Sequence, residues 1–311
     1  MKYRASYLEL SDAEFQRKIQ QAFDVLKECT LCPRNCKVNR IDGKKGFCKT
    51  LDKPYVSSWG PHFGEERPLV GQYGSGTIFF TYCNLACLYC QNWTISHLGE
   101  GEEISSDDLA SVMIYLQNLS CHNINLVTPT HQVPQILKAL YIARENGLKI
   151  PIVYNCGGYE AVDTLKILDG IIDIYMPDFK YADDKLSEKY SKAKNYFAVA
   201  KESLKEMHRQ VGDLIIERGI VVRGLLIRHL VLPNNLSGTE TVLEFIAKEI
   251  SSNTYINIMD QYRPCWHADE YEELNRRITT KEFDNAIKLA LKLGLKRIDA
   301  LLYSKIYYFW L

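Results

Sequence analysis

The 311-residue sequence has no long hydrophobic run. Nothing in it approaches the about 18 uninterrupted apolar residues that mark a membrane helix, so no spanning segment is expected. Its first six residues lack the apolar stretch of a secretory signal, and the chain reads as cytoplasmic. A surplus of either charge is also missing: Lys plus Arg and Asp plus Glu both number 38. Nucleic-acid binders draw most of their affinity from neutralising phosphates, so this balance gives no reason to expect one. Internal repeats and low-complexity tracts are absent too, which argues against a solenoid or a fibrous chain. What remains is a composition that is 46% hydrophobic, enough for a sizeable core.

Cysteine, by contrast, is plentiful at ten residues. In a cytoplasmic protein, clustered cysteines bind metal or do redox chemistry more often than they form disulfides. Seven fall into two tight groups, Cys29/Cys32/Cys36/Cys48 and Cys83/Cys87/Cys90. Cys121 and Cys156 read as core residues, and Cys265 follows a polar strand end.

The pattern divides the chain into two parts. Residues 1–75 carry a helix and a metal-binding segment. The helix is expected over about 12–27, with Ser11 and Glu14 as a capping box and Phe15, Ile19, Phe23 and Leu26 on one face. Residues 29–75 are rich in Cys, Gly, Pro and Lys and read as loop. From 76 to 311 short apolar runs at 76–82, 123–128, 151–155, 171–176, 224–231 and 255–260 alternate with helical patterns. The connection over 178–220 is long enough for more than one helix. Such alternation predicts an α/β fold with a parallel sheet. Six units fall short of the eight of a closed barrel, so an open, partial (β/α)6 barrel is expected, followed by C-terminal helices. The aromatic tail, residues 307–311, is one candidate to close it, and a partner is another.

Polar residues gather where those runs end. They include the three-cysteine loop, then Thr128 to His131, Asn155 with Gly157 and Gly158, Asp178 and Lys180, Arg228, and Gln261 with Tyr262. In parallel α/β barrels the chemistry sits at these strand ends. Three thiolates with no histidine between them suit an iron–sulfur cluster better than structural zinc, which prefers four closed ligands. On a four-iron cluster they leave one iron open to a small molecule.

Cys-x3-Cys-x2-Cys in the first βα loop of a partial barrel resembles the radical S-adenosylmethionine (SAM) superfamily. Residues 74–80, Gln91-Asn92, Met176-x-Asp178-x-Lys180, Arg228 with Pro233, and Met259 to Tyr262 resemble, more narrowly, pyruvate formate-lyase activating enzymes, in an uncharacterised iron–sulfur branch. The resemblance implies a 4Fe-4S cluster on Cys83, Cys87 and Cys90, with SAM chelated to the open iron and cleaved reductively to a 5′-deoxyadenosyl radical. It further implies SAM contacts from Tyr89, Asn155, Met176, Asp178, Lys180 and Arg228. A glycyl radical enzyme as protein substrate and a flavodoxin or ferredoxin as electron donor also follow from it. The family's Gly-Gly-Glu, which binds the SAM amino group after the second strand, is replaced here by Thr128-Pro-Thr-His131. That leaves backbone carbonyls, a threonine hydroxyl or His131 for the amine.

Cys29-x2-Cys32-x3-Cys36-x11-Cys48 supplies four thiolates, enough for a second iron–sulfur cluster or a zinc site. Between the two groups, His62, Glu65 and Glu66 read either as barrel-mouth residues or as exposed turn residues. Two other functions stay open beside the activating-enzyme reading. One is radical SAM modification of a peptide, an RNA or a small molecule. The other is an iron–sulfur electron-transfer or scaffold protein that does not cleave SAM.

Overall fold

A computed structural model describes residues 3–299 of the chain; the aromatic tail at 307–311 lies outside the described residues. The strands are β1 (Tyr55–His62), β2 (Ser75–Phe80), β3 (Glu102–Glu103), β4 (Ile124–Val127), β5 (Ile152–Cys156), β6 (Ile174–Pro177), β7 (Ile215–Glu217), β8 (Ile220–Leu230), β9 (Tyr255–Met259) and β10 (Arg297–Asp299). The helices are α1 (Asp12–Asp24), α2 (Arg67–Val70), α3 (Ser106–Asn118), α4 (Val133–Glu145), α5 (Val162–Ile167), α6 (Asp184–Ser191), α7 (Tyr196–Val211), α8 (Thr239–Phe245) and α9 (Thr280–Lys292).

The strands form one sheet in the order β10-β9-β8-β6-β5-β4-β2-β1-β3, with β7 paired to β8. From β2 to β10 the neighbours along this path are parallel; β1 and β3 are antiparallel additions at one edge. The path is open, as an incomplete barrel requires. Helices cover the outer face, so β4, β5 and β6 are buried almost throughout and read as continuous apolar runs.

The six apolar runs of the sequence become the six long parallel strands. Four strands, β1, β3, β7 and β10, carried too little pattern to be read. In β1 the segment Trp59-Gly-Pro-His62 holds two residues that usually interrupt strands. It is tolerated because β1 beyond Val56 pairs only with β2, so Pro61 lies on a free edge. Strand β10 has three residues, too few to show alternation. The expected first helix ends earlier as α-helix, at Asp24, and tightens into a 3-10 turn, Val25–Glu28. Ser11 accepts the Glu14 N–H at 3.3 Å, one half of a capping box.

The N-terminal region is fastened to the barrel by buried polar contacts. The Asp173 carboxylate, ahead of β6, accepts from the Tyr3 hydroxyl (2.6 Å), the Ser6 N–H (2.7 Å) and the Ile152 N–H (2.8 Å). Lys18 of α1 donates to the Ile167 carbonyl at 3.0 Å. Arg40, only 1% exposed, donates to the Thr50 hydroxyl and to the His131 carbonyl, both at 3.0 Å.

Gly157 and Gly158 follow β5, where two segments approach closely. A Cβ on Gly158, whose φ is +74°, would lie 2.2 Å from the Asp178 carbonyl oxygen, and one on Gly157 would lie 2.6 Å from Leu85. Gly147 has φ +89° but open space around it. Gly158→Ala is therefore expected to cost more than Gly147→Ala. The expectation is about 1–3 kcal/mol of backbone strain in both, with the clash added only at 158, read by urea denaturation.

Candidate active site

Cys83, Cys87 and Cys90 lie in the loop that leaves β2. The loop is pinned to the end of α6: Ala86 N–H donates to the Ser191 carbonyl (3.1 Å) and Leu88 N–H to the Tyr190 carbonyl (2.8 Å). Each thiol has a polar neighbour. Cys83 Sγ accepts from Leu85 N–H (3.3 Å), Cys87 Sγ accepts from the Ser191 hydroxyl (3.0 Å), and Cys90 Sγ lies 3.1 Å from Ser96 Oγ. Burial and the neighbouring thiols push the Cys83 and Cys90 thiols up, toward the protonated form. Only a nearby cation reverses that preference, and metal coordination does so outright.

The three cysteines line a cavity of about 430 Å³ at the C-terminal ends of the parallel strands. That volume suits a small-molecule ligand. Among the described residues, no three Cys, His, Asp or Glu converge on a single-ion position. A four-iron cluster asks for a different arrangement, because each thiolate takes its own iron. The donor set fits such a group: three thiols on one loop, at the wall of a cavity with room for a second ligand.

Charge in the cavity alternates. Lys180 Nζ bonds Asp178 at 2.6 Å. Burial draws the Lys180 ammonium down, but Asp178 and the Cys87 sulfur outweigh it and hold it charged. Arg228, on the neighbouring strand, stands 3.4 Å from Glu65, 3.4 Å from Glu66 and 3.7 Å from Asp178. Glu65 is also 3.4 Å from His62 Nδ1. Burial works against ionisation of Glu65, yet His62 and Arg228 keep it below the usual carboxylate range. Glu66 is more deeply buried, bonded by the Asn257 amide at 2.7 Å, and burial raises it. His62 and Glu65 thus line the barrel mouth, with Glu65 withdrawn from water, while Glu66 is buried beside Arg228 and does not line the cavity.

Tyr89 lines the cavity and heads a relay of hydroxyls. Its OH donates to Tyr181 OH (2.6 Å), which lies 2.8 Å from Ser191 Oγ, the donor to Cys87 Sγ. Asn155 lines the cavity too, and its carbonyl accepts from Thr128 N–H at 2.8 Å. Thr128 has φ +60°, an uncommon conformation for a β-branched residue, and sits on the cavity wall.

Cys83, Cys87, Cys90, Tyr89, Asn155, Asp178, Lys180 and Arg228 are brought together here. His131 and Met176 are not among the lining residues. His131 is buried behind the wall, with Nε2 2.8 Å from the Thr81 carbonyl, and burial pulls it down to about 4, so it is neutral. It faces the N-terminal cysteines. Met176 is buried among Leu69, Val153 and Ile174, its sulfur 3.9 Å from Arg228 Nη1. It underlies the arginine. Cys156 lines the cavity although its sequence context reads as core. Ser96, Ser191 and Tyr181 carry no local signal; only the packing of α6 on the loop reveals the last two.

Behind β5, Glu160 is fully buried, accepting from Thr130 Oγ1 (2.8 Å) and Tyr154 OH (3.0 Å). Burial raises it from 4.5 to about 7. The unfolded chain therefore releases this proton first, and stability falls as pH rises from 4.5 to about 7. Glu160→Gln is expected to stabilise the protein by on the order of 3 kcal/mol at pH 8 and by little at pH 4, read by denaturation at both.

An open parallel barrel with three thiols and an alternating charge array at its mouth defines a cluster-dependent α/β enzyme class. The comparisons agree: a model of the radical SAM superfamily matches residues 77–246, and the chain belongs to that superfamily. Its members generally cleave SAM at an iron–sulfur cluster. The chain is 36% identical over 291 residues to the uncharacterized protein MJ0674 of Methanocaldococcus jannaschii, covering 90% of this chain and 79% of that one. It is 25% identical over 311 residues to MJ0808 of the same organism, covering 93% and 84%. The FeFe-hydrogenase maturase HydG of Carboxydothermus hydrogenoformans shares the fold at TM-score 0.50 and 11% identity, over 70% of this chain. This chain spans about half of that one, 50% of its length. Among the described residues no helix is long and apolar enough to cross a membrane.

Proposed function

We propose that the cavity cleaves SAM reductively and directs the resulting 5′-deoxyadenosyl radical at a hydrogen of a partner protein. The single observation that carries the first half is the junction, in one cavity, of Cys83, Cys87 and Cys90 with Glu65, Arg228, Asp178 and Lys180. A 4Fe-4S cluster on the three thiolates would supply the electron that splits the sulfonium.

The chain's own residues do the rest. SAM carries an ammonium, a carboxylate and a sulfonium, so its head needs both signs of charge close together. Arg228 and Lys180 are suited to the carboxylate; Glu65 and Asp178 are suited to the ammonium. The contacts of Arg228 to its carboxylates are long, 3.4–3.7 Å, which leaves the guanidinium able to take a new partner. Glu65, from the segment between β1 and α2, offers a carboxylate in place of the missing Gly-Gly-Glu glutamate, and the strained Thr128 backbone stands at the end of β4, where that motif is replaced. Tyr89 and Asn155 line the space for the nucleoside. His131, lying behind the wall, has no part in it.

The second half is supported by the activating-enzyme pattern around Asp178 and Lys180 and at Arg228. A backbone glycine of a glycyl radical enzyme is the hydrogen donor this reading expects, with a flavodoxin or ferredoxin as external reductant. The four N-terminal cysteines would hold a second metal centre.

Cys83→Ala is expected to abolish 5′-deoxyadenosine formation with dithionite and SAM while the circular dichroism spectrum stays native. Cleavage that survives in this variant would sink the cluster assignment. Arg228→Lys replaces a planar fork with a point charge. It should weaken SAM binding about tenfold in equilibrium titration of the reconstituted protein, and Glu65→Gln should act in the same direction.

A further inference from the structure

The N-terminal cysteines share a wall with the active site. Cys29, Cys32, Cys36 and Cys48 line one small cavity together with Arg34, Asn84 and others. Asn84 directly follows Cys83, which lines the active-site cavity. One peptide unit, about 3.8 Å between Cα atoms, therefore separates the two linings.

Arg34, two residues after Cys32, spans this wall. Its Nε donates to the Asn84 carbonyl at 2.8 Å, its Nη2 to the Ser191 carbonyl at 3.3 Å, and its Nη1 to the Lys192 carbonyl. The Ser191 hydroxyl in turn donates to Cys87 Sγ. On the other side the guanidinium lies 3.8 Å over the Phe47 ring, and Phe47 N–H donates to Cys36 Sγ at 3.4 Å. One cation is thus linked to a thiol of each set through a single residue on either side.

We propose that Cys29, Cys32, Cys36 and Cys48 hold an iron–sulfur cluster that passes single electrons to the active-site cluster across the wall formed by Arg34, Asn84 and Ser191. The proposal rests on the active-site reading above. Zinc would need the thiolates to close on one tetrahedral position, and it carries no electron. A cluster takes one thiolate per iron, which suits four thiols arranged around a cavity. The step balances: a low-potential one-electron protein carrier loses an electron, the N-terminal cluster gains it, and that cluster is reoxidised as the active-site cluster is reduced. No bond is made and no proton moves. The Arg34 charge stands between two anionic centres and lowers the repulsion that an added electron creates.

The first test is anaerobic reconstitution with iron and sulfide. About eight irons per chain are expected, falling to about four in Cys29→Ala/Cys32→Ala. Zinc in place of iron, or about four irons in the parent protein, overturns the proposal. Should the double variant fail to fold, Cys36→Ser serves instead. An altered paramagnetic resonance signal beside an unaltered SAM-responsive one supports the second cluster, and no alteration counts against it. The second test is Arg34→Gln, loaded to the same iron content. Its reduction by ferredoxin, relative to reduction by dithionite, should slow by about tenfold or more in stopped-flow absorbance. An unchanged ratio sinks the relay. Cys83→Ala keeps the two readings apart: if it still responds to SAM, the active-site assignment fails, whatever Arg34→Gln shows.

Discussion

The structure turns on three thiols held at the desolvated end of a parallel sheet. Left alone, Cys83 and Cys90 prefer to stay protonated, because burial and the neighbouring thiols penalise their thiolates. The three are nevertheless fixed in place by the end of α6 and by single hydrogen bonds to their sulfurs. A site that holds thiols so firmly where bare thiolates are disfavoured suits a group whose iron ions take up the thiolate charge. The open sheet adds the second requirement: its strand ends leave about 430 Å³ beside the thiols, where a closed and filled barrel would leave side chains.

Around that space the molecule concentrates its costly groups. Asp178, Lys180, Arg228 and Glu65 are all largely withdrawn from water, and none would be stable there singly. They hold one another's charges, and the loose geometry around Arg228 suits exchange of partners. The left-handed Thr128 and the close-packed Gly157-Gly158 pair are further strained or restricted positions at the same strand ends. The N-terminal segment serves this arrangement twice. It brings Glu65 to the mouth and Glu66 beneath it against Arg228, and it sets Arg34 against the back of the cysteine loop.

Much of this is legible before any coordinate is known. A three-cysteine spacing placed after an apolar strand, with polar residues at each later strand end, names both the face of the barrel and most residues on it. Asp178 and Lys180 are readable because residues two apart on a strand share a side. His131 misleads for a local reason: it follows a strand end, but the short turn at Thr130–Gln132 carries its ring behind the wall to the Thr81 carbonyl. Met176, two residues before Asp178 and so on the same side of the chain, lies deeper, packed with Leu69, Val153 and Ile174 beneath Arg228. Strand β1 hides behind Gly60 and Pro61, which only an edge position permits.

The sequence by itself determined the α/β alternation, the cysteine loop and the class of chemistry, because these depend on neighbours close in the chain and on ligand spacing. Only the tertiary structure decided that Ser191 touches Cys87, that Glu65 meets Arg228, and that Arg34, next to one cysteine set, reaches Asn84 beside the other, 50 residues on. Those contacts depend on sheet order and helix packing, which bring together residues with no shared period, so no local pattern in the chain encodes them.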